Sequence, residues 1–357
     1  MSDELTISSR FRDYTVFFIE SAAESLRTRH PDQTSMFIVD ENLLALCPER
    51  FDNALKDREV IFVEPTEQHK TLEYCQSIIS KLIEKNIRKN CTLVAVGGGI
   101  IQDITAFISS VLFRGISWEF YPTTLLAQAD SCIGSKASIN FGNYKNMLGG
   151  FYPPACIFID VGFLGTLPEE EIRSGIGEML HYFLIDDSEL TRSLMDDYEA
   201  LLANPLQMKL YMLESLRIKK SMIEIDELDK NQRNIFNYGH TFGHAIETVS
   251  DYRVNHGQAV TLGMDIANYI SMHLGYVTDQ QYASMHTVLW KNIPDFQLSD
   301  KMFDRYYSAL AKDKKNIGKN LGCILTRGPG KMEKIQIPFD EKLKDLIRSY
   351  FKNRVAD

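Results

Sequence analysis

The stretch Thr92-Leu-Val-Ala-Val-Gly-Gly-Gly-Ile-Ile-Gln-Asp103 combines a buried strand, a glycine turn and the start of a helix. Glycines in such a turn let the backbone approach a phosphate group, and the helix N-terminus favours negative charge. The pattern is not the full GxGxxG fingerprint, and a tight strand-to-helix turn needs glycine in any case. The stretch therefore predicts an α/β element. That it binds a phosphate group is a hypothesis.

Short apolar runs alternate with amphipathic stretches on both sides of this element. Strands are predicted at 35–40, 60–63, 118–121 and 156–160, and helices at 72–87 and 104–113. This alternation favours a mostly parallel sheet. From about residue 167 long amphipathic segments follow, at 169–185, 187–202, 205–225, 233–249 and 257–274, with a small strand pair at 323–326 and 334–337. The sequence predicts an α/β domain over residues 1–165 and a mainly α-helical domain over 166–357.

Length, net charge and cysteine content indicate which classes of protein the chain can belong to. The chain has 357 residues, enough for two cores, and its net charge of -9 argues against broad nucleic-acid binding. Its six cysteines contain no CxxC pair, which is typical of buried thiols in a reducing compartment. We see no signal peptide and no apolar run of membrane-spanning length, so we expect a cytoplasmic protein without a membrane partner.

Three of the eight histidines lie close together, in Arg233-Asn-Ile-Phe-Asn237-Tyr-Gly-His240-Thr-Phe-Gly-His244 and at His256. On a helix, His240 and His244 would share one face, a spacing that suits a divalent metal or an anionic substrate. A partly buried helix face would show the same spacing. The third histidine and the nearby polar residues favour a functional site.

An acidic motif lies upstream, where Glu178 and His181 are three residues apart in an apolar setting. A buried glutamate needs a partner, and a metal shared with His240 and His256 would provide one. A Glu/His/His set leaves positions open for substrate, as a catalytic zinc site requires. The alternative is a hydrogen-bonded core pair of Glu178 and His181.

Other polar residues suggest anion binding. Lys136, Lys145 and Asn146 follow a polar stretch from Tyr121 and could cradle a phosphate, although a polar surface loop would look similar. Lys219 and Arg233 could jointly hold a carboxylate, or could pair with the acids at 224–229.

Together these motifs resemble the dehydroquinate synthase family of sugar phosphate cyclases, from about residue 60 to residue 316. The motifs are the glycine segment with Asp103, Phe-Arg-Gly at 113–115, Pro-Thr-Thr-Leu-Leu-Ala-Gln followed by Asp130, Lys145-Asn146, Thr-Leu-Pro at 166–168, the stretch ending at Glu178, Asp226-Glu227, the segment 237–247, His256-Gly-Gln-Ala-Val and Asp313-Lys-Lys. The resemblance implies a phosphate-eliminating cyclase whose NAD is reduced and regenerated in each turnover, working as a homodimer.

The resemblance also implies roles for single residues. The metal, zinc or cobalt, would be held by Glu178, His240 and His256. The substrate phosphate would be held by Lys136, Asn146, Asn237, His244 and a lysine of the pair Lys314-Lys315, with Arg114 from the partner subunit. Asp130 would contact ring hydroxyls, and Lys219 and Arg233 the carboxylate. The NAD site would be lined by Asp40, Asn42, Glu67, Lys70, Gly98, Gly99, Asp103, Thr123, Thr124, Lys145, Thr166, Leu167 and Glu171.

The chain departs from the family pattern at the substrate end. His181 stands where the family usually has a lysine that contacts substrate hydroxyls, and Gln258 stands where glutamate is usual. The paired Lys219 and Arg233 still favour a phosphorylated seven-carbon keto acid as the substrate. The alternatives are a cyclase acting on sedoheptulose 7-phosphate or glucose 6-phosphate, a metal-dependent polyol dehydrogenase that would release NADH, and a non-enzymatic sugar-phosphate-binding regulator.

Overall fold

A computed structural model describes residues 4–30, 34–46, 48–142, 144–313 and 315–354. The strands in this part of the chain are β1 (Glu4–Ile7), β2 (Tyr14–Phe18), β3 (Ser35–Asp40), β4 (Val60–Val63), β5 (Thr92–Gly97), β6 (Ser117–Pro122), β7 (Lys136–Phe141), β8 (Tyr144–Phe151), β9 (Cys156–Ile159), β10 (Asn320–Thr326) and β11 (Met332–Pro338). The α-helices are α1 (Ala22–Arg29), α2 (Asn42–Leu46), α3 (Pro48–Leu55), α4 (Leu72–Glu84), α5 (Gly99–Val111), α6 (Glu169–Asp186), α7 (Leu190–Asp196), α8 (Tyr198–Ala203), α9 (Lys209–Ile225), α10 (His240–Val249), α11 (His256–His273), α12 (Asp279–Trp290), α13 (Phe303–Ala311) and α14 (Glu341–Asn353).

One seven-stranded sheet has the order β1-β2-β9-β6-β5-β3-β4. All of its pairs are parallel except β1 with β2. The β3 strand is buried along its whole length, and Phe37, Val39, Val94 and Val96 share one core cluster with helix residues. Strands covered on both faces need apolar residues at nearly every position, which explains the continuous apolar runs in the sequence. The predicted α/β class and mostly parallel sheet are confirmed.

The chain divides into two compact units. The first contains Met1–Pro168 with Asn204–Leu228, and the second contains Glu169–Ala203 with Asp229–Asp357. The segment 204–228, which the sequence assigns to the helical domain, thus packs with the first unit. Helix α9 explains this, because Ser215 Oγ donates to the Ala129 carbonyl at 2.9 Å and Lys219 Nζ donates to Asp130 at 2.7 Å. A helical pattern alone does not say which core the helix covers.

Two features differ from the sequence-based expectations. The sequence-based expectation omits β1, β2 and the antiparallel hairpin β7–β8. The residues of β2, Tyr-Thr-Val-Phe-Phe, are nevertheless typical of a strand, and their burial alternates. The segment 233–249, predicted as one helix, breaks at Gly239, whose φ of +78° is left-handed. A Cβ there would lie 2.7 Å from the Val260 carbonyl oxygen. His240 is therefore the first residue of a new helix. None of the described helices is long and apolar enough to cross a membrane.

Candidate active site

Three possible metal ligands converge in the second unit. Glu178 lies on α6, and His240 and His256 are the first residues of α10 and α11. The Nε2 atoms of His240 and His256 lie 3.6 and 3.2 Å from Glu178 Oε1. Bonds of about 2.1 Å in a tetrahedral zinc site separate neighbouring ligand atoms by about 3.4 Å. The three side chains therefore fit a single divalent ion.

A close contact between two helices brings these ligands together. A Cβ on Gly177 would lie 2.1 Å from the Gly257 carbonyl oxygen, and a Cβ on Gly257 would lie 1.7 Å from the Ser174 carbonyl oxygen. Only glycine permits backbones to approach this closely. Because Gly177 precedes Glu178 and Gly257 follows His256, the contact sets the distance between the two ligands.

The electrostatics of the three side chains favour a cation. Glu178 is buried, and its Oε1 accepts no hydrogen bond of good geometry from the described residues. Burial lowers the pKa of His240 well below its ordinary value, so its imidazole is neutral, as metal ligation requires. Burial also acts to lower the pKa of His256, but the close carboxylates of Glu178 and Glu247 outweigh burial and raise it well above the ordinary value. A divalent ion would supply the positive charge that a buried carboxylate needs.

A second polar group in the same unit suits a phosphate. Lys315 Nζ lies 3.5 Å from Asn237 Oδ1 and 3.2 Å from Asp313 Oδ2. The ring of His244 lies 5.8 Å from that of His256. Part of His244 reaches solvent. Desolvation of its ring by the surrounding protein nevertheless lowers its pKa to about 4, and the nearby His256 contributes to this lowering. Lys314 lies outside the described residues.

His181 and Arg233 are buried in the second unit. The His181 ring is surrounded by the rings of Tyr182, Phe236, Tyr238 and His240, at centroid distances of 4.9 to 6.3 Å. Its Nδ1 lies 3.8 Å from Glu178 Oε2. The aromatic enclosure packs around the flat imidazole ring.

The glycine turn in the first unit forms a cradle. A Cβ on Gly97 would lie 2.4 Å from Ile101 Cγ1, so packing alone requires this glycine. A Cβ on Gly99 would meet its nearest atom, Ser131 Oγ, only at 3.8 Å. Gly98 precedes the first residue of α5, and no side chain caps that helix terminus. The open space and the free backbone N–H groups fit the diphosphate of a dinucleotide.

Among the other predicted NAD-site residues of the first unit, Asp103 lies on α5, Asn42 begins α2 and Lys145 lies on β8. Lys70 Nζ contacts Asp103 Oδ2 at 2.6 Å, and the Ser138 amide donates to Asp103 Oδ1 at 3.1 Å. Burial raises the pKa of Asp103, although Lys70 opposes this. Further contacts join Asn140 with Glu67 at 2.8 Å, Lys145 with Glu67 at 3.8 Å, and the Asn42 amide with Asp40 at 2.9 Å. Thr123, Thr124, Thr166 and Leu167 also belong to this unit, whereas Glu171 lies on α6 in the second unit.

The remaining predicted substrate contacts are also in the first unit. Lys219 Nζ donates to both the carbonyl and the carboxylate of Asp130, at 2.8 and 2.7 Å, rather than to the acids at 224–229. Lys136 begins β7, and Asn146 accepts a hydrogen bond from Ser138 Oγ at 3.0 Å. Arg114 follows α5 with a left-handed φ of +65°.

Sequence reasoning missed Glu247. Glu247 is the last residue of the motif 237–247, and its Oε1 lies 3.4 Å from His256 Nδ1. Its position, seven residues after His240 and three after His244, is the only sequence signal, because it places all three on one helical face.

Comparison with known proteins agrees with this geometry. The model of the 3-dehydroquinate synthase N-terminal domain matches residues 60–174, and that of the C-terminal domain matches residues 175–316. The chain belongs to the 3-dehydroquinate synthase family. A 3-dehydroquinate synthase from Clostridium tetani is 35% identical over 323 residues, covering 88% of this chain and 86% of that protein. One from a Thermoanaerobacter species is 31% identical over 354 residues, covering 96% and 99%.

A solved structure of the same overall form is 2-deoxy-scyllo-inosose synthase in complex with carbaglucose-6-phosphate, NAD+ and Co2+. It has a TM-score of 0.85 and 27% sequence identity, and the match covers 97% of this chain and 99% of that chain. Together with family membership, this makes the protein an enzyme of the sugar phosphate cyclase type.

Proposed function

We propose that this enzyme is an NAD- and metal-dependent 3-dehydroquinate synthase. Its substrate would be 3-deoxy-D-arabino-heptulosonate 7-phosphate, which it would convert to a carbocycle with loss of phosphate. The observation that carries the proposal is the convergence of Glu178, His240 and His256, with ligand atoms within 4.8 Å of one another, in a chain of this family. The NAD+ and Co2+ of the inosose synthase complex support the same two groups here.

The metal ion and NAD would each be held by residues described above. The metal would be held by Glu178, His240 and His256, and NAD by the cradle at Gly98 and Gly99 with the other first-unit residues named above. When bound, NAD would accept a hydride from a hydroxyl-bearing carbon of the substrate and later return it, and the metal ion would stabilise negative charge on the oxygen of that carbon.

The chain's own groups bind and orient the substrate. Lys315 brings a full positive charge to a phosphate, and Asn237 lies beside it. His244, with a pKa of about 4, is neutral at pH 7, so it can donate one N–H to the phosphate without adding charge. Holding one conformer of a flexible substrate lowers the entropic part of the barrier to ring closure.

Arg233 offers a planar fork that fits a carboxylate with two hydrogen bonds. A substrate with a carboxylate could use this fork and a neutral-tailed sugar phosphate could not, which favours the keto acid as substrate. That Lys219 joins Arg233 on the carboxylate stays a prediction, as does a homodimer in which Arg114 reaches the partner's phosphate site.

His181 supports a second candidate, a cyclase that acts on a sugar phosphate without a carboxylate. It replaces the lysine usual in the family, and the inosose synthase neighbour is described with a glucose 6-phosphate analogue. The difference lies at the substrate end, so it leaves the reaction class unchanged.

The deciding experiment measures phosphate release and absorbance of NADH together, with NAD and zinc or cobalt present. The three substrates are the heptulosonate phosphate, sedoheptulose 7-phosphate and glucose 6-phosphate. We expect phosphate release without NADH accumulation, and the highest kcat/KM with the heptulosonate phosphate. The variant Arg233→Met should lose activity on that substrate far more than on the two neutral-tailed sugars. Preference for either neutral-tailed sugar would support the second candidate. Steady NADH accumulation on an unphosphorylated polyol would indicate a dehydrogenase instead.

A further inference from the structure

The side chain of His256 lies between two carboxylates. Its Nε2 is 3.2 Å from Glu178 Oε1, and its Nδ1 is 3.4 Å from Glu247 Oε1. Glu178 is almost fully buried and Glu247 mostly so, with side-chain exposures of 3% and 14%. Burying a second carboxylate beside a metal site costs free energy unless it has a specific partner.

The two histidine ligands are supported in parallel ways. His240 Nδ1 lies 3.1 Å from the Tyr238 carbonyl oxygen, which leaves Nε2 directed at Glu178. Glu247 occupies the equivalent position for His256. A histidine that binds metal through one ring nitrogen donates its other N–H to an oxygen acceptor, which fixes the tautomer and the ring orientation.

The need for such support is greater at His256 than at the other ligands. Its side chain is 34% exposed, against 15% for His240 and 3% for Glu178. A more exposed ring has more room to rotate, because fewer neighbours pack against it. An acceptor on Nδ1 therefore adds a restraint against rotation of this ring to those from Glu178 and from the neighbouring rings of His240 and His244.

We infer that Glu247 is a positioning residue, which holds the His256 ring with Nε2 directed at the metal. The inference rests on the metal site proposed above. The donors of His244, Glu247 and His256 could also surround an ion of their own. That arrangement would require His256 to lose both ring protons, so a hydrogen bond is the simpler account of the geometry.

The test compares metal binding by the full-length wild type, Glu247→Ala, Glu247→Gln and a control, Glu341→Ala. Glu341 has a side chain that is 73% exposed and lies on α14. Zinc affinity is measured by competition with a chromogenic chelator, cobalt binding by its visible absorption spectrum, and folding by thermal denaturation of the metal-free proteins. None of these readouts requires turnover.

We expect one ion per chain in the wild type and the control. Loss of an outer-shell partner of this kind lowers metal affinity by about 10- to 100-fold. We expect that loss, with an altered cobalt spectrum, in Glu247→Ala. We expect partial recovery in Glu247→Gln, whose amide oxygen still accepts the hydrogen bond. The metal-free variants should unfold within a few degrees of the wild type.

Three outcomes would overturn the inference. Wild-type affinity and an unchanged cobalt spectrum in Glu247→Ala would remove the positioning role and leave the metal site intact. Two ions in the wild type, with one lost in Glu247→Ala, would make Glu247 a ligand. No metal bound by the wild type would refute the metal part of the proposed function itself, and the inference with it.

Discussion

Replacing Gly257 with alanine tests whether helix contact sets the metal site. The new Cβ would lie 1.7 Å from the Ser174 carbonyl oxygen, whereas real Cβ contacts hardly ever fall below 3.0 Å. The backbone of α11 must therefore move away from α6 by about 1.3 Å at this point. Gly257 directly follows His256, so the ligand moves with it.

The displacement is large on the scale of metal coordination. Added to the present 3.2 Å, it would place His256 Nε2 about 4.5 Å from Glu178 Oε1, well beyond the edge of a zinc tetrahedron. Metal sites tolerate changes of only about 0.2 Å in bond length. We expect zinc affinity to fall by at least about 100-fold, or about 2.7 kcal/mol. Overpacking should also lower stability by about 1–3 kcal/mol, which corresponds to a drop of roughly 3–10 °C in the unfolding midpoint.

The assay is zinc titration against a chelator, with thermal denaturation of the metal-free protein. The control is Gly165→Ala, because a Cβ on Gly165 would meet no atom within 4 Å. Wild-type zinc affinity in Gly257→Ala, with the control also unchanged, would show that the helix contact does not set the ligand spacing. Equal loss in both variants would equally contradict the reasoning.

Three further predictions address the cofactor, the substrate and stability. Gly99→Ala should leave the unfolding midpoint within about 1 °C of the wild-type value, because the cradle has room for a Cβ. The same variant should weaken NAD binding by about tenfold in a fluorescence titration. Unchanged NAD affinity would count against the cradle as the NAD site. His181→Lys should raise kcat/KM on the heptulosonate phosphate if His181 sets specificity, and an unchanged or lower rate in a folded variant would oppose that role. Glu119→Gln should lower stability at pH 7 by about 1.5–3 kcal/mol, since it removes the carboxylate that contacts Arg29 at 3.2 Å and His30 at 3.3 Å. Burial alone would raise the pKa of Glu119, but His30 and Arg29 lower it below its ordinary value of 4.5, so the charged form stabilises the fold above that pH. The difference between Glu119→Gln and wild type should therefore shrink as denaturation is measured below pH 4.5, and a constant difference would refute the pairing.

Much of the fold follows from local patterns. The apolar runs of β3 and β5 and the glycine turn before α5 are local signals that predict their elements correctly. The periodic segments after residue 167 predict helices, but not the break at Gly239 within 233–249. The sequence-based expectation omits β1, β2 and the hairpin β7–β8, although the residues of β2, Tyr-Thr-Val-Phe-Phe, favour a strand. A local signal does not identify the partner of a strand, as β2 shows by pairing with the distant β9.

For the candidate site, too, the sequence predicted some features and not others. Residue types and motif order, in resemblance to a known family, identified Glu178, His240 and His256 as ligand candidates. Spacing along the chain could not show that Lys219 pairs with Asp130, or that Glu247 lies beside His256 Nδ1. Nor could the sequence assign α9 to the first unit, because its apolar face would fit either core.

The sequence by itself determined the class of most elements, the family and the kinds of side chain available for chemistry. The tertiary structure alone decided the distances between those side chains and the second carboxylate that supports His256. The physical reason is that periodicity and composition act within a few residues. The ligand spacing, in contrast, is set where Gly177 and Gly257, eighty residues apart, let two helix backbones touch.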